Sequence, residues 1–285
     1  MTAAPARPIH IVDELIYERA PRLVTSAFWP VIKPALYGLL GYKKAVTMAN
    51  DIAGLSGDAA LAHVSSLLSL ETIAHGLARL PKTGRCVVVC NHPTGIADGV
   101  AVYDALRRIR QDAIFFANAD ALRVSPRLSE SVIPVEWVES KRTREKTRAT
   151  LQAARQAFEA ERCIVLFPAG RLARVNREGV LTDPPWATTA ISLAQKYQAP
   201  IVPIHIAGPY AFWFHSFNRI SKELRDVTLF HELLNKAGKR YELKVGLVIP
   251  PEALTIETGA LCDQLKAYVE RQLPKNPDKP FKAVA

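Results

Sequence analysis

The sequence predicts an α/β fold in which a largely parallel central sheet is flanked by helices and preceded by an N-terminal helical segment. From about residue 84 onward, short β-branched runs alternate with helical stretches, a pattern typical of a parallel sheet covered on both faces. Residues 1–80 instead contain helical stretches broken by prolines and glycines. We therefore divide the chain into an N-terminal segment over residues 1–80 and an α/β domain over residues 81–285.

Five apolar runs predict the strands of the sheet. Four are continuous, as in buried strands, and the last alternates, as in a strand nearer an edge. In chain order they are CVVVC (86–90), AIFFA (113–117), CIVLF (163–167), PIVPIHI (200–206) and YELKVGLVI (241–249). In parallel sheets the reactive groups gather at the carboxyl ends of the strands. The segments after residues 90, 117, 167 and 206 are therefore expected to lie near one another.

Four helices are predicted between and after these strands, over residues 98–110, 143–161, 186–197 and 256–273. In the second of them, helical spacing places four side chains on one face: Thr147, Leu151, Ala154 and Phe158.

The charge of the chain predicts an anionic partner. Lys and Arg total 37 and Asp and Glu total 27, which gives a formal net charge of +10. Such an excess favours binding to nucleic acid, an acidic membrane surface or a phosphorylated ligand. The run KRTREKTR (141–148) is the densest basic stretch. It is interpreted either as a solvated helix face or as a contact for anionic lipid or an acidic carrier protein.

The four cysteines predict neither a zinc site nor a redox site, because no C-x-x-C stands near a helix. Cys86, Cys90 and Cys163 lie in strand-like runs and Cys262 lies on a predicted helix face. We expect them to be buried small hydrophobic residues. This usage suits a reducing compartment.

The most apolar stretch is residues 23–42, which is long enough to span a bilayer. Pro30, Lys33 and Pro34 in its middle favour a helix lying in the interface, or a shallow re-entrant pair, over a spanning helix. The alternative is a helix packed on the protein core. The N-terminus lacks a basic region joined to an apolar core, so no signal peptide is predicted. The residues expected at headgroup level are Phe28, Trp29, Tyr37 and Tyr42.

The stretch NHPTGIADG (91–99) follows the first predicted strand and carries a histidine and a carboxylate. Asp98 opens a helix and is close enough in sequence to reach back to His92. A carboxylate bonded to one ring nitrogen leaves the other nitrogen as a proton acceptor, which is the arrangement of a general base. The alternatives are a loop contact or a helix cap. A metal site would need a third ligand, and none stands nearby in sequence.

This stretch resembles the first signature block of the lysophospholipid acyltransferase superfamily, typified by 1-acylglycerol-3-phosphate acyltransferases. The usual motif has four residues between His and Asp, and five stand here. The longer spacing looks like the branch of ornithine-lipid acyltransferases and hemolysin-like proteins. Three later segments resemble the remaining blocks in order. Ala117-Asn118 with Leu122 resembles the second block, FPAG (167–170) the third, and Trp186 with Pro203 the fourth.

The third block departs from the family pattern. Many relatives have FPEGTR, in which the acidic residue and the arginine help to bind the acceptor; Ala169 and Leu172 replace them here. Relatives in the ornithine-lipid branch usually have FPAGE followed by Ser-Arg, whereas this chain has Arg171 and then Ala173-Arg174. These differences leave the acceptor open among lysophosphatidic acid, a lyso-aminolipid and a glycolipid.

The resemblance predicts which side chains bind the head group of the acceptor. Guanidinium groups bind phosphate or carboxylate through two parallel hydrogen bonds, so Arg171 and Arg174 are the main candidates, with Gly170 and Asn118 beside them. The alternative for either arginine is a solvated surface position.

The resemblance implies an O-acyltransferase that moves a fatty acyl group from an acyl thioester, on acyl carrier protein or coenzyme A, to a hydroxyl of a lysolipid. His92 would remove the proton, Asp98 would orient the imidazolium, and backbone amides near the third block would bind the oxyanion. No cofactor, metal or nucleic acid is expected. The protein is expected at the cytoplasmic face of the inner membrane, peripheral or monotopic, with residues 1–80 as its membrane-docking segment.

Two other functions remain open from the sequence. One is a lipid or thioester hydrolase that uses the same pair. The other is a non-catalytic basic protein that binds membranes or nucleic acid, which would give His92 and Asp98 no role.

Overall fold

The computed structural model describes residues 9–136, 141–210 and 212–284. Seven strands form the main sheet and two form a small hairpin. The main-sheet strands are β1 (Glu71–His75), β2 (Cys86–Cys90), β3 (Ile114–Asn118), β4 (Val132–Val135), β5 (Cys163–Leu166), β8 (Ile201–Ala207) and β9 (Arg240–Val245). The hairpin strands are β6 (Arg174–Val175) and β7 (Leu181–Thr182). In space the main sheet has the order β1-β9-β8-β2-β5-β3-β4.

The predicted α/β fold with a largely parallel sheet is confirmed. Strands β8, β2, β5, β3 and β4 run parallel to one another. Strand β9 is antiparallel to β8, and the edge strand β1 is parallel to β9. The carboxyl ends of β2, β3, β5 and β8 therefore lie along one edge of the sheet, as the sequence predicts.

Three strand elements differ from the sequence-based prediction. Strand β1 lies within the N-terminal stretch that the sequence predicts to be helical. Its sequence, ETIAH, contains no continuous apolar run, so the sequence predicts no strand there. Strand β4 has four residues and contains Pro134, which its edge position accommodates. The hairpin strands β6 and β7 have two residues each.

Helices cover both faces of the sheet. The helices after the first strands are α6 (Ile96–Leu106), α7 (Asp120–Val124), α8 (Arg144–Glu159), α9 (Thr189–Tyr197), α10 (Phe212–Ile220), α11 (Lys222–Val227), α12 (Leu229–Leu234) and α13 (Thr258–Ala267). Val87 and Val89 of β2 pack in the cluster formed by α8, α9 and α13. Val88 and Cys90 point to the opposite face, into the cluster with α6. This alternation follows from the period of two of a β-strand.

All four cysteines are free and buried, which confirms the expectation from sequence. Burial raises the pKa of the Cys90 thiol well above its ordinary value, because a thiolate would lose its hydration there.

The four side chains that share one face of α8 differ in burial. Ala154 and Phe158 are buried, and the Phe158 ring stacks on Tyr197 with 4.2 Å between ring centroids. Leu151, by contrast, is 55% exposed, and Thr147 is also exposed. The amino-terminal half of α8 borders two surface cavities, while the Thr150 hydroxyl donates to the Pro134 carbonyl of β4 at 2.6 Å.

The described part of the chain begins with five helices, α1 (Ile11–Arg19), α2 (Pro21–Val24), α3 (Trp29–Leu39), α4 (Tyr42–Ile52) and α5 (Gly57–Leu68). Helices α1, α3 and α4 share an apolar cluster of their own, to which Val227 of α11 also contributes. No helix in the described ranges combines the length and the apolarity that crossing a membrane requires.

Of the four aromatic residues expected at headgroup level, Trp29, Tyr37 and Tyr42 pack on the N-terminal cluster, whereas Phe28 is 71% exposed. Trp29 is buried. Tyr37 donates a hydrogen bond of 2.7 Å to Asp13, and Tyr42 donates one to the same carboxylate. The ammonium of Lys33 lies 3.0 Å from the hydroxyl of Tyr17. These polar partners explain how an apolar stretch accommodates a lysine.

The outward side of α3 and the residue before it carries a stripe of apolar side chains. Four residues at helical spacing are exposed: Phe28, Val31, Ile32 and Leu39. We call these four residues the α3 apolar stripe. Val31 is 78% exposed, which is unusual for a β-branched apolar side chain inside a helix.

Candidate active site

The loop that follows β2 is fixed to the neighbouring strand by an asparagine side chain. Asn91 is buried; its amide nitrogen donates to the carbonyl of Ile206 (3.0 Å) and its amide oxygen accepts from the Ile206 N–H (2.7 Å). This pair of bonds continues the strand pairing by one residue, so the next residue, His92, leaves the sheet at a defined position.

His92 contacts Asp98 as the sequence predicts. The ring nitrogen Nδ1 lies 3.0 Å from Oδ2 of Asp98. The Asp98 side chain is 0% exposed, whereas 17% of the His92 side chain is exposed. A buried carboxylate on Nδ1 leaves Nε2 of the ring as the nitrogen available to a bound molecule.

Three further hydrogen bonds hold the Asp98 carboxylate. Oδ2 accepts from the backbone N–H groups of Thr94 (2.8 Å) and Gly95 (3.0 Å), and Oδ1 accepts from the Thr94 hydroxyl (2.6 Å). Asp98 lies in the first turn of α6, where the helix dipole also favours a negative charge. Charge-assisted bonds of this kind compensate for the loss of water around a buried carboxylate.

The network extends to β9 through a tyrosine. The Tyr241 hydroxyl lies 2.8 Å from the Thr94 hydroxyl. Because Thr94 gives its only proton to Asp98, the phenol must be the donor. Burial raises the pKa of Tyr241 and so keeps this proton on the phenol. Gly208 lies against both side chains, and a Cβ there would come within 2.6 Å of the Tyr241 ring.

His92 is also held through its backbone. Its carbonyl accepts a hydrogen bond of 2.9 Å from the N–H of Ala173. Its N–H donates to both oxygens of Asp183, at 3.1 and 3.2 Å. Asp183 in turn accepts from the indole N–H of Trp186 at 2.9 Å. The segment of the third block and the segment after β7 therefore clamp the histidine from two sides.

A salt-bridged carboxylate from the C-terminal part of the chain supports Asp183. Glu270 accepts from the Asp183 N–H (2.6 Å) and from the Thr182 hydroxyl (2.8 Å). Lys266 pairs with the same carboxylate at 2.7 Å. Asp183, which is 91 positions from His92 in sequence, therefore fixes the His92 backbone with the support of Glu270.

The ring of Phe167 packs beside the His92 imidazole, with 4.6 Å between centroids and 37° between planes. Phe167 follows β5, the strand next to β2. Its ring forms one apolar wall of the space around the imidazole.

The structure places the predicted acceptor-binding residues at different distances from His92. Gly170 closes a turn with a left-handed φ of +60°. Arg171 and Arg174 flank the segment that is bonded to His92, and both side chains are exposed. Asn118 ends β3, which β5 separates from β2. Two strand spacings correspond to about 10 Å, and the Asn118 side chain accepts from the Asp120 N–H.

Sequence reasoning missed Thr94, Asp183 and Tyr241. Thr94 lay within the recognised NHPTGIADG stretch, so a hydroxyl next to a histidine was the signal that could have found it. Asp183 stands before two prolines and Trp186, and Tyr241 opens a strand. Neither position differs in pattern from an ordinary loop or core residue. Within the described ranges, no three His, Cys, Asp or Glu side chains are grouped to hold a metal ion.

The burial of Asp183 predicts a pH dependence of folding. Burial raises the pKa of this carboxyl from 3.8 to about 6, against the opposing effects of Trp186 and His92. Between these two values the folded protein binds more protons than the unfolded chain. The contribution of Asp183 to the free energy of unfolding therefore falls as the pH rises through this window.

We expect Asp183→Asn to remove this dependence, because an amide does not titrate. Relative to the variant, the wild type should lose up to about 3 kcal/mol of unfolding free energy between pH 4 and pH 7. Urea unfolding at pH intervals measures the difference, and Asp263→Asn, at an exposed carboxyl, is the control. A wild-type-minus-variant difference that stays constant with pH would contradict the assignment.

The chain is similar to known acyltransferases. The Acyltransferase family model matches residues 71–207, which include His92, Asp98 and Asp183. The lyso-glycine lipid O-acyltransferase of Phocaeicola vulgatus is 28% identical over 181 residues, which are 61% of this chain and 63% of that protein. The chain thus matches a little less than two thirds of that relative. The lyso-glycine lipid O-acyltransferase of Bacteroides thetaiotaomicron is 25% identical over 189 residues, 64% of this chain and 67% of the relative.

A solved structure shows the same fold. The crystal structure of the 1-acyl-sn-glycerophosphate acyltransferase PlsC from Thermotoga maritima has a TM-score of 0.50 and 13% identity, and the likeness covers 94% of this chain and 100% of that one. The family match spans the strands that carry the His–Asp loop and the third block. The family model and the two relatives support the resemblance of this chain to the lysophospholipid acyltransferase superfamily.

Proposed function

We propose that this protein is an O-acyltransferase that acylates a hydroxyl group of a lysolipid, with His92 as the general base. The observation that carries the proposal is the contact between the partly exposed His92 imidazole and the fully buried Asp98 carboxylate. A histidine held in this way can take a proton at Nε2 while the carboxylate stabilises the resulting positive charge. The match to the Acyltransferase family model and the names of the two relatives support the reaction class.

In the proposed reaction, Nε2 of His92 removes the proton of the acceptor hydroxyl as the oxygen attacks the thioester carbonyl carbon. The carbonyl oxygen becomes an oxyanion. When the C–S bond breaks, the thiolate leaves and takes the proton from the imidazolium. The products are an ester and a free thiol, and the histidine returns to its starting state.

Two backbone amides of the third block are available for the oxyanion. The N–H groups of Gly170 and Ala173 already donate, to the carbonyls of Phe167 and His92. The N–H groups of Arg171 and Leu172, between them, donate to no acceptor in the described parts of the chain. We assign these two amides to the oxyanion, since donors that are fixed before the reaction stabilise charge most effectively.

The chemistry is proposed as direct transfer, without an acyl-enzyme. Cys90 is two residues from His92, but its side chain has no exposed surface and packs in the core with α6. Its raised pKa keeps it a thiol, and a buried thiol is a poor nucleophile.

The first test is transfer of a radiolabelled acyl group from a thioester to a lyso-glycine lipid by purified protein. His92→Ala should lower kcat by on the order of 10²–10⁴-fold, and Asp98→Asn should lower it severely with little change in lipid binding. His75→Ala, at an exposed histidine on the edge strand, is the control. Near-wild-type transfer by folded His92→Ala would refute the mechanism. Fatty acid release that does not need the acceptor would indicate a hydrolase.

We propose an amino-acid-containing lysolipid as the acceptor, with its anionic group bound by Arg171 and Arg174. The names of the relatives support this class. The position of the two exposed guanidinium groups on either side of the segment bonded to His92 is consistent with it. Ornithine lipid, the acceptor suggested by the branch resemblance, falls in the same class.

Arg171→Ala should therefore raise the KM for the acceptor with little change in kcat, because the lost contact is made equally in the ground state and the transition state. Arg177→Ala, at an exposed position in the turn between β6 and β7, is the matched control. Steady-state rates at varied acceptor concentration measure both constants. An unchanged KM in Arg171→Ala would assign this side chain to the solvated surface.

We propose that the protein docks on the cytoplasmic face of the inner membrane through the α3 apolar stripe. Exposed Lys43 and Lys44 follow the stripe and add attraction to anionic lipid, about 1 kcal/mol for each basic residue near the surface. Deleting the whole segment would also remove the cluster shared with Val227. Point substitutions in the stripe are the cleaner test.

Val31→Glu combined with Leu39→Glu should weaken sedimentation with liposomes that contain anionic lipid, because two carboxylates replace apolar side chains at the interface. Transfer to a membrane-embedded acceptor should fall, while transfer to a short-chain soluble acceptor should not. Leu67→Glu, at an exposed leucine of α5, is the control. Wild-type sedimentation by the double variant would show that docking occurs elsewhere.

A further inference from the structure

A basic groove runs along the outer side of α8. It has a volume of about 680 Å³, and five of its ten lining residues are cationic, with no acidic residue among them: Arg142, Arg144, Arg148, Arg155 and Lys196. We call this cavity the basic groove. It lies outside the His–Asp site, and the proposed reaction has not used it.

The positive charge of the basic groove is largely uncompensated. Within the described ranges, no carboxylate forms an ion pair with Arg144, Arg148 or Lys196; Arg155 pairs with Glu159. The neighbouring cation Lys141, by contrast, is paired with Glu18. Unpaired cations clustered in one concave surface attract an anionic partner and raise its local concentration.

The basic groove is continuous with a second, smaller cavity that leads toward the active site. This inner pocket has a volume of about 340 Å³ and shares Arg142, Thr147 and Leu151 with the groove. Its far end is formed by residues that include Phe167 and Pro168. Phe167 packs directly beside the His92 imidazole. A flexible chain anchored at the groove could therefore extend through the inner pocket to the vicinity of His92.

We propose that the basic groove docks an acidic protein that carries the acyl thioester on a flexible prosthetic arm, and that the arm enters through the inner pocket. This inference rests on the proposed acyl transfer, which requires a thioester carbonyl close to Nε2 of His92. Charge complementarity identifies the partner: a surface with a surplus of Lys and Arg fits a surface with a surplus of Asp and Glu.

The spacing of the cations favours a protein over a nucleotide. Arg144 and Arg155 are eleven residues apart on one helix, which corresponds to about 16 Å, and Lys196 lies on α9. The phosphates of a nucleotide would be bound by cations that converge on one point. A line of cations matches the acidic face of a helix. Leu151, which is 55% exposed between them, supplies an apolar contact at the centre of such an interface.

The decisive variant is Arg144→Glu combined with Arg148→Glu. Both side chains are exposed, and glutamate is well tolerated in the first turns of a helix, so the fold should be retained. We expect the KM for palmitoyl-acyl carrier protein to rise about tenfold or more, with kcat unchanged, and the KM for palmitoyl-coenzyme A to change less than about twofold. The wild-type KM for the carrier protein should rise with salt concentration, and this dependence should be weaker in the variant.

The matched control is Lys82→Glu combined with Lys275→Glu. Both lysines are exposed and lie near the amino ends of the parallel strands, away from His92. Lys82 precedes β2, and Lys275 follows Pro274, whose carbonyl accepts a hydrogen bond from Lys244 near the end of β9. The control has the same change in net charge. Equal effects of the two double variants would show a general field effect and would overturn the docking site.

Thr147→Trp tests the path of the arm. Thr147 lines both cavities, and an indole there would narrow their junction. Since the carrier protein and coenzyme A bear the same pantetheine arm, the KM should rise several-fold for both donors. If neither KM changes, the path through the inner pocket is wrong.

The other outcomes are equally informative. An equal rise in KM for both donors in the Arg144→Glu and Arg148→Glu variant would overturn the protein partner in favour of nucleotide phosphates. A rise in KM for the acceptor alone would overturn it in favour of a lipid surface. If the wild type transfers an acyl group from neither donor, the proposed acyl transfer itself fails, which is distinguishable from failure of the docking site.

Discussion

The arrangement of the active site depends on the burial of one carboxylate. Asp98 has no exposed surface, and a charge removed from water in this way is tolerated only when its oxygens are fully hydrogen bonded. Its partners are the His92 ring, the Thr94 N–H and hydroxyl, and the Gly95 N–H. To bring these donors onto one carboxylate, the loop after β2 must fold back on the first turn of α6. The same constraint that satisfies Asp98 therefore orients the imidazole.

A second constraint acts on the backbone of His92 from the outside. Asn91, the residue before His92, is hydrogen bonded to β8 through its side chain. Ala173 and Asp183 bind the carbonyl and the N–H of His92. Each of these residues lies on a loop at the same edge of the sheet, where parallel strands end together. Asp183 is held in turn by Glu270, near the end of the chain. The site is precise because several loops support one short segment, which is the general requirement for a fixed catalytic geometry.

The basic groove and the α3 apolar stripe are two chemically different surfaces of the protein. On one face of the sheet, α8 and α9 border an uncompensated basic groove, and an inner pocket leads from it to Phe167. The α3 apolar stripe lies on the N-terminal helices instead, outside the buried cluster that these helices share with Val227 of α11. The basic groove and the apolar stripe therefore belong to different elements of the fold.

The sequence by itself determined the α/β class, five of the nine strands and the contact between His92 and Asp98, because continuous apolar runs and a polar loop between a strand and a helix are local features. It could not find β1 or the hairpin, because these short strands lack the continuous apolar run that marks the buried strands. Nor could it show that Leu151 faces solvent, since helical spacing fixes a stripe but not what covers it. Asp183 and Tyr241 joined the site only in the tertiary structure, because hydrogen bonds across 91 and 147 positions of sequence depend on how the sheet aligns its loops.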